Sequence, residues 1–252
     1  MIRRVLYEVG RAFRETGQQL DRVGLRVVDK PIFKEPFSRH RAVFNLFDKH
    51  PTVEPNVFVA PNASVVGRVT ILHKSTVWYN AVIRGDFNDV EIGGFTSIGE
   101  GAVVNTSKSE ERTPDNATRI GDYVTVGAGA VLQSCTVESH AVIGAGAVVM
   151  DGAIVENHSH VGPGSVVHPD QRVPSGQLWA GNPAKFVRNL TPEEKASFEI
   201  EAEAVAETAE EHADVFLEHG AAYLEAESRY ASVVDKLESG DAFREKPKKV
   251  EL

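Results

Sequence analysis

From Val59 to Trp179 the aliphatic residues recur every six positions. Val59, Val65, Ile71, Val77 and Ile83 form one series, Ile92, Ile98 and Val104 a second, and Ile120, Val126 and Leu132 a third. The longest runs through Val137, Ile143, Val149, Val155, Val161, Val167, Val173 and Trp179. Two residues before many of these stands a small side chain, as at Ala63, Ala81, Ala130, Cys135, Ala141, Ala147, Ala153, Ser159 and Ser165. One residue after stands, often, a glycine: Gly93, Gly99, Gly121, Gly127, Gly144 or Gly162. A period of six fits neither an α-helix nor an ordinary strand with a long connection. It marks a β-solenoid of hexapeptide repeats. Each repeat is a short strand and a tight corner, with the aliphatic residue inward and the small residue giving it room. Three repeats close one triangular coil, and coils stack at about 4.8 Å. The pattern predicts about six coils, a prism on the order of 30 Å tall. The competing architecture is a β-sandwich of regular strands, and eight successive positions in one phase count against it.

The flanks follow other rhythms. Residues 1–30 predict an amphipathic helix: Ile2, Val5, Leu6, Val9, Phe13, Leu20, Val23 and Val27 fall at helical spacing. Arginines and one lysine (Arg3, Arg4, Arg11, Arg14, Arg22, Arg26, Lys30) outnumber the acids, and Gly17 and Gly24 are candidate break points. Such a helix packs on its own domain, lies on a membrane or partner, or serves as a targeting segment. Residues 31–56, with Pro31, Pro36, Pro51 and Pro55, predict a connector anchored by Phe33, Phe37, Phe44 and Phe47. The solenoid is assigned to 57–189. Its largest interruption, Thr106 to Thr118, is polar and predicts an exposed loop, and a one-residue slip falls between Leu132 and Val137. Thr191-Pro192-Glu193-Glu194 is a capping box with proline at the first helical position. It opens a helix predicted over 191–239, with Phe198, Ala202, Val205 and Ala209 on the face that covers one solenoid wall. Gly220 is a candidate bend, and a charged tail occupies 240–252.

Composition narrows the classes. A chain of 252 residues with a net charge of −9 is no general nucleic-acid binder. The lone Cys135 excludes a disulfide framework within the chain. No apolar run reaches the ~18–20 residues of a membrane span, which makes the chain at most peripheral.

Two motifs sharpen the picture: Arg84-Gly85-Asp86 after Trp78-Tyr79, and Gly181-Asn182-Pro183-Ala184-Lys185 at the end of the solenoid. Solenoid and closing motif resemble trimeric left-handed parallel β-helix proteins, a group that includes γ-class carbonic anhydrases and hexapeptide acyltransferases. Arg14-Glu15-Thr16-Gly17-Gln18 with Leu20-Asp21-Arg22, then His40-Arg41 and Phe47-Asp48-Lys49, resemble the N-terminal extension of γ-carbonic anhydrase subunits of mitochondrial respiratory complex I. Val131-Leu132 before Cys135-Thr136-Val137 fits the same family. The resemblance runs from about residue 3 to residue 195.

The resemblance implies a trimer whose active members hold one zinc at each subunit interface through three histidines, two from one subunit and one from the next. Those positions correspond here to Asn105, Ala128 and Gln133, and Gly99 stands in place of a family glutamine, with Glu100 beside it. Catalytic zinc needs three protein donors and an open position for water. Alanine offers none, and amide oxygens replace imidazole poorly. Nine histidines occur, of which only His158 and His160 stand close in sequence, and they read as surface or corner residues. The implied reading is a non-catalytic, structural subunit with no cofactor of its own. Its implied partners are two other γ-carbonic anhydrase family subunits, with zinc confined to a site between those two. Arg84 and Asp86 are implied as the subunit-interface pair. Arg3, Arg4, Arg11, Phe13 and Arg14 are implied to attach the trimer to the complex I membrane arm, on the matrix side of the mitochondrial inner membrane. The rivals are an active carbonic anhydrase with rearranged ligands, an acyltransferase, and a free homotrimeric scaffold.

Overall fold

The computed structural model describes residues 2–27, 40–108 and 116–215, which fall in two compact units. In the first unit, helix α1 (Ile2–Val27) runs without interruption through Gly17 and Gly24. The expected break does not occur. Glycine costs about 1 kcal/mol in a helix but forces no kink by itself. Thr16 Oγ1 donates back to the Ala12 carbonyl at 2.8 Å. Along the apolar stripe Val9, Phe13, Leu20, Val23 and Val27 are exposed.

The second unit is the solenoid with the helix that follows it. One sheet holds eight strands, seven of them parallel, from Phe58–Val59 to Gln177–Ala180, closed by antiparallel Lys185–Asn189. The other two faces form one continuous sheet of twelve strands, because Ser64–Ile71 and Val82–Ile92 each bend round a corner and serve both. We call the face carrying Val103–Asn105 and Val131–Gln133 the first, that carrying Thr118–Ile120 and Thr136–Val137 the second, and the eight-stranded sheet the third.

The stack has seven coils rather than about six. The extra coil lies inside the stretch expected as a connector: Val43–Phe44 and Thr52–Val53 pair in parallel with Ser64–Ile71. The six-phase is broken there because the corner between them holds an antiparallel Leu46–Lys49 bridge, with Phe47 at φ 55°. The inward positions behave as the pattern predicts. Val65, Ile71, Val77, Ile83, Val104, Leu132, Val155, Val161 and Val167 have no exposed surface. At about 25 cal/mol per Å2 each such side chain contributes roughly 1.5–3 kcal/mol. The slip between Leu132 and Val137 is a corner that turns at Ser134, φ 41°. The polar interruption is anchored at its feet: Ser134 Oγ donates to the Asn116 carbonyl at 3.0 Å and accepts from the Ser107 amide at 2.6 Å. The tip of that loop, residues 109–115, lies outside the described residues.

Helix α2 (Pro192–Val215) opens on the expected box. The Glu194 amide donates to Thr191 Oγ1 at 3.3 Å, and the Thr191 amide donates to Glu194 Oε2 at 2.9 Å. At 1.5 Å per residue α2 is about 36 Å long, against about 29 Å for seven coils. It lies on the third face and buries Phe198, Ala202, Ala206 and Ala209. The remainder of the helix expected to 239, Gly220, and the tail from 240 lie outside the described residues.

Candidate functional site

Strand register decides which of the singled-out residues meet. Arg84 pairs with Asn105, and Asn105 with Gln133. The three stand one above another on successive coils, at the end of the first face. Each follows an inward residue (Ile83, Val104 or Leu132), so alternation turns it outward. Asn105 is fixed by its backbone: its carbonyl accepts from Thr118 Oγ1 at 2.6 Å and from the Ser134 amide at 3.1 Å. Asn105 Oδ1 is buried and has no hydrogen-bond partner among the described residues.

Asp86 joins this column through Arg84, whose guanidinium donates to the Asp86 carboxylate. The Asp86 side chain is 16% exposed and that of Arg84 49%. Asp86 Oδ1 also accepts from the Phe87 amide at 3.0 Å, and Lys49 Nζ donates to the Asp86 backbone carbonyl. Gly85 lets the chain pass here, because a Cβ at that position would lie 2.1 Å from the Arg68 carbonyl oxygen. The Arg-Gly-Asp motif is thus a backbone crossing with a charged pair on its outer side.

Ala128 stands elsewhere. It occupies the corner between the third and first faces, exposed, one coil beyond Glu100 in the same position. Gly99, below Gly127, is packed so closely that a Cβ would lie 2.7 Å from the Val126 carbonyl oxygen. Asn105 and Gln133 therefore share one edge of the first face, and Ala128 borders the opposite edge. At these three positions the chain offers an amide, a methyl group and an amide. That donor set does not fit zinc, which takes imidazole, thiolate or carboxylate.

His158 and His160 do not converge: His158 sits at a corner with φ 49°, while His160 is on a strand and meets the Phe198 ring at 6.1 Å. His40 bonds the Ala63 carbonyl at 2.9 Å. His219 lies outside the described residues. Cys135 is buried and burial pushes its thiol up to about 12, which leaves it no nucleophile at neutral pH. The backbone of α1 carries Arg3, Arg4, Arg11 and Arg14, and Phe13 beside them is 76% exposed.

Sequence reasoning missed two features. The first is a row of outward valines on the first face: Val82, Val103, Val131, Val148 and Val166, in register on five successive coils and each part-exposed. The signal was present, since each directly precedes an inward residue of the six-phase series. The second face differs, carrying Glu91, Arg119, Thr136, Ile154 and Arg172 outward, with Arg119 and Glu91 paired at 3.4 Å. The second feature is a stack of rings, Phe95, Tyr123, His140 and His158, at the corner between the second and third faces. Irregular coil lengths hide its period in the sequence.

Geometry defines a hexapeptide-repeat solenoid. A family model described as bacterial transferase hexapeptide (six repeats) matches residues 134–169. A solved structure of a hexapeptide transferase family protein from Anaplasma phagocytophilum superposes with a TM-score of 0.59 at 37% identity, covering 64% of this chain and 91% of that one. Gamma carbonic anhydrase 1, mitochondrial, of Arabidopsis thaliana is 47% identical over 210 residues, 83% of this chain and 76% of the relative. Gamma carbonic anhydrase-like 1, mitochondrial, of the same plant is 39% identical over 194 residues, 77% of each chain. The chain belongs to the family of γ carbonic anhydrases and γ carbonic anhydrase-like proteins.

Proposed function

We propose that this chain is a non-catalytic, structural member of its family, one subunit of a heterotrimer with two other γ-carbonic anhydrase family chains. The trimer is attached to the matrix side of the membrane arm of mitochondrial complex I. The observation that carries the reading is the donor set at Asn105, Ala128 and Gln133. These positions border both edges of one face, and none of the three offers zinc an imidazole, thiolate or carboxylate ligand. In a ring of three the chain leaves both of its own junctions without a full ligand set. Zinc then belongs only to the junction between its two partners.

The valine row supports the assembly role. It is an apolar strip on a part-exposed sheet face, flanked by the Arg84–Asp86 pair. Apolar centre and arginine flank together are the composition of a protein interface. Several relatives named as mitochondrial occur in one plant, which supports partners drawn from the same family and a mitochondrial location. The exposed apolar stripe of α1, with arginines along the same helix, suits attachment to a membrane arm.

The test is metal analysis of the purified chain and of its native assembly, with CO2 hydration measured on both. The chain alone is expected to hold no stoichiometric zinc and no activity. A tightly bound equivalent would refute the proposal. The combined variant Asn105→His, Ala128→His, Gln133→His is expected to gain zinc when assembled with histidine-bearing partners.

A further inference from the structure

We propose that α2 is held on the third face by a proton-operated latch, formed by His158 and His160 beneath the start of the helix, which dock it only while neutral. Near the start of α2 the latch rests on the ring stack. Phe95, Tyr123, His140 and His158 follow one another with centroids 4.9–5.0 Å apart and planes within 13°. All four hold left-handed φ between 49° and 55°. The next coil continues the column with Gly176, whose amide donates to the His158 carbonyl at 3.1 Å. Lys195 of α2 reaches this position: its Nζ lies 2.5 Å from where a Cβ on Gly176 would stand. The helix thus sets an ammonium group in the empty rung beyond His158.

Charging His158 is unfavourable. Its Nδ1 is buried with no hydrogen-bond partner among the described residues. Protonation would place an N–H there without an acceptor, beside a second imidazole and Lys195. Two residues on, His160 packs edge-on against Phe198 of α2. At the far end His212 of α2 shares a hydrogen bond with the Tyr79 hydroxyl at 2.9 Å through Nδ1, and its ring meets Trp78 at 5.2 Å and Phe58 at 6.3 Å.

The charged groups around the latch oppose one another. His158 faces His140 and Lys195, with Glu199 on the other side of the balance. His160 faces Arg188, balanced by Glu194 and Glu201. Glu199 and Glu203 of α2, with Asp122, stand beside the Tyr123 rung. Burial dominates in both imidazoles and holds each below its ordinary value, ahead of the nearby charges. A base whose docked pKa is depressed takes its proton more readily when undocked. Docking is therefore fully supported above about pH 6.5 and weakens as pH falls through the docked values.

The experiment uses the full chain carrying Trp179→Phe, so that Trp78 beneath α2 reports its release. On titration from pH 8 to pH 5 the emission is expected to shift red, reversibly, with onset below about 6.5. Amide exchange across Phe198–His212, corrected for intrinsic rates, is expected to rise at least about tenfold between pH 7.5 and 5.5, while Ile143, Val149 and Val155 keep their protection. His158→Gln or His160→Gln is expected to move the midpoint down by about half a pH unit. Should a histidine variant fail to fold, Lys195→Gln removes the repulsion without touching the stack and is expected to move the midpoint the same way. Equal protection of α2 at both pH values overturns the latch. So does simultaneous loss of protection in α2 and the solenoid strands. A midpoint unmoved in all three variants overturns it too, as does tighter docking in acid, which would mean that the glutamates capture the imidazolium groups.

Discussion

Val131→Asp separates the stability of the chain from the stability of its assembly. Val131 lies in the middle of the outward valine row, between Val103 and Val148, and points away from the core that Leu132 fills. In the isolated chain the change sits on a strand surface, where strand preference is worth up to about 1 kcal/mol and shifts Tm by only a few degrees. In the assembly it sets a carboxylate against a neighbour's apolar surface. Seven coils at about 4.8 Å, with a side of about six residues at 3.3 Å, give a face of roughly 600 Å2. A standard interface uses about 800 Å2 per partner, so the whole face has to be engaged. An unpaired charge at its centre costs about 3 kcal/mol or more, at least about 100-fold in dissociation constant. Native mass spectrometry and light scattering over a concentration series, with thermal melts of the separate chain, read both quantities. Thr136→Asp, outward on the second face, is the control and is expected to leave the assembly intact. A Val131→Asp chain that assembles at wild-type concentrations would refute the assignment of the first face.

Two further outcomes follow from local geometry. Gly85→Ala places a methyl group 2.1 Å from the Arg68 carbonyl oxygen, a backbone clash that cannot be relieved by a side-chain rotation. It is expected to lose soluble folded chain, whereas Arg84→Ala at the exposed neighbour keeps it, as circular dichroism and yield will show. The hydrogen bonds from Arg188 hold Glu194 down to about 2, followed by that from the Thr191 amide. A depressed carboxylate stabilises above its unfolded value and loses that contribution as pH falls toward the folded one. Protection of the cap amides of Glu194 and Lys195 is therefore expected to decline between about pH 4.5 and 2, and Glu194→Gln is expected to remove that acid limb.

The fold was legible because one decision, inward or outward, repeats every sixth residue within each series and puts an aliphatic side chain, with a small one two residues before it, inward. The capping box of α2 was legible for a similar reason, since Thr191 and Glu194 satisfy each other locally. The first coil was not, because its corner inserts the Leu46–Lys49 turn and puts Val43 out of the phase that Val53 keeps with Val59. The alignment of Arg84, Asn105 and Gln133 needed the register: the coil lengths between them are unequal, and spacing alone does not put them in one column. The ring stack escaped for the same reason. The proposed correspondence of Ala128 to a ligand position rests on family resemblance alone, since nothing in an exposed alanine at a corner announces chemistry.

The parallel ladder has a consequence for how the molecule is made. Every coil bonds only to the coil before and the coil after, and most paired strands lie 17 or 18 residues apart along the chain, as with Val126 and Ile143 or Ile143 and Val161. Such contacts are local in the sequence, so little loop entropy has to be overcome before each is rewarded. A chain emerging from the ribosome can add one coil at a time onto a finished edge, and stability grows with each nearest-neighbour contact. The growing end is always an open strand edge, the kind of surface that recruits wrong partners. The antiparallel return of Lys185–Asn189 closes that edge on the third face after the last coil is laid down, and α2 then folds back across all the coils at once. The helix is in this sense a clasp on a zipper: it ties together layers that otherwise know only their neighbours.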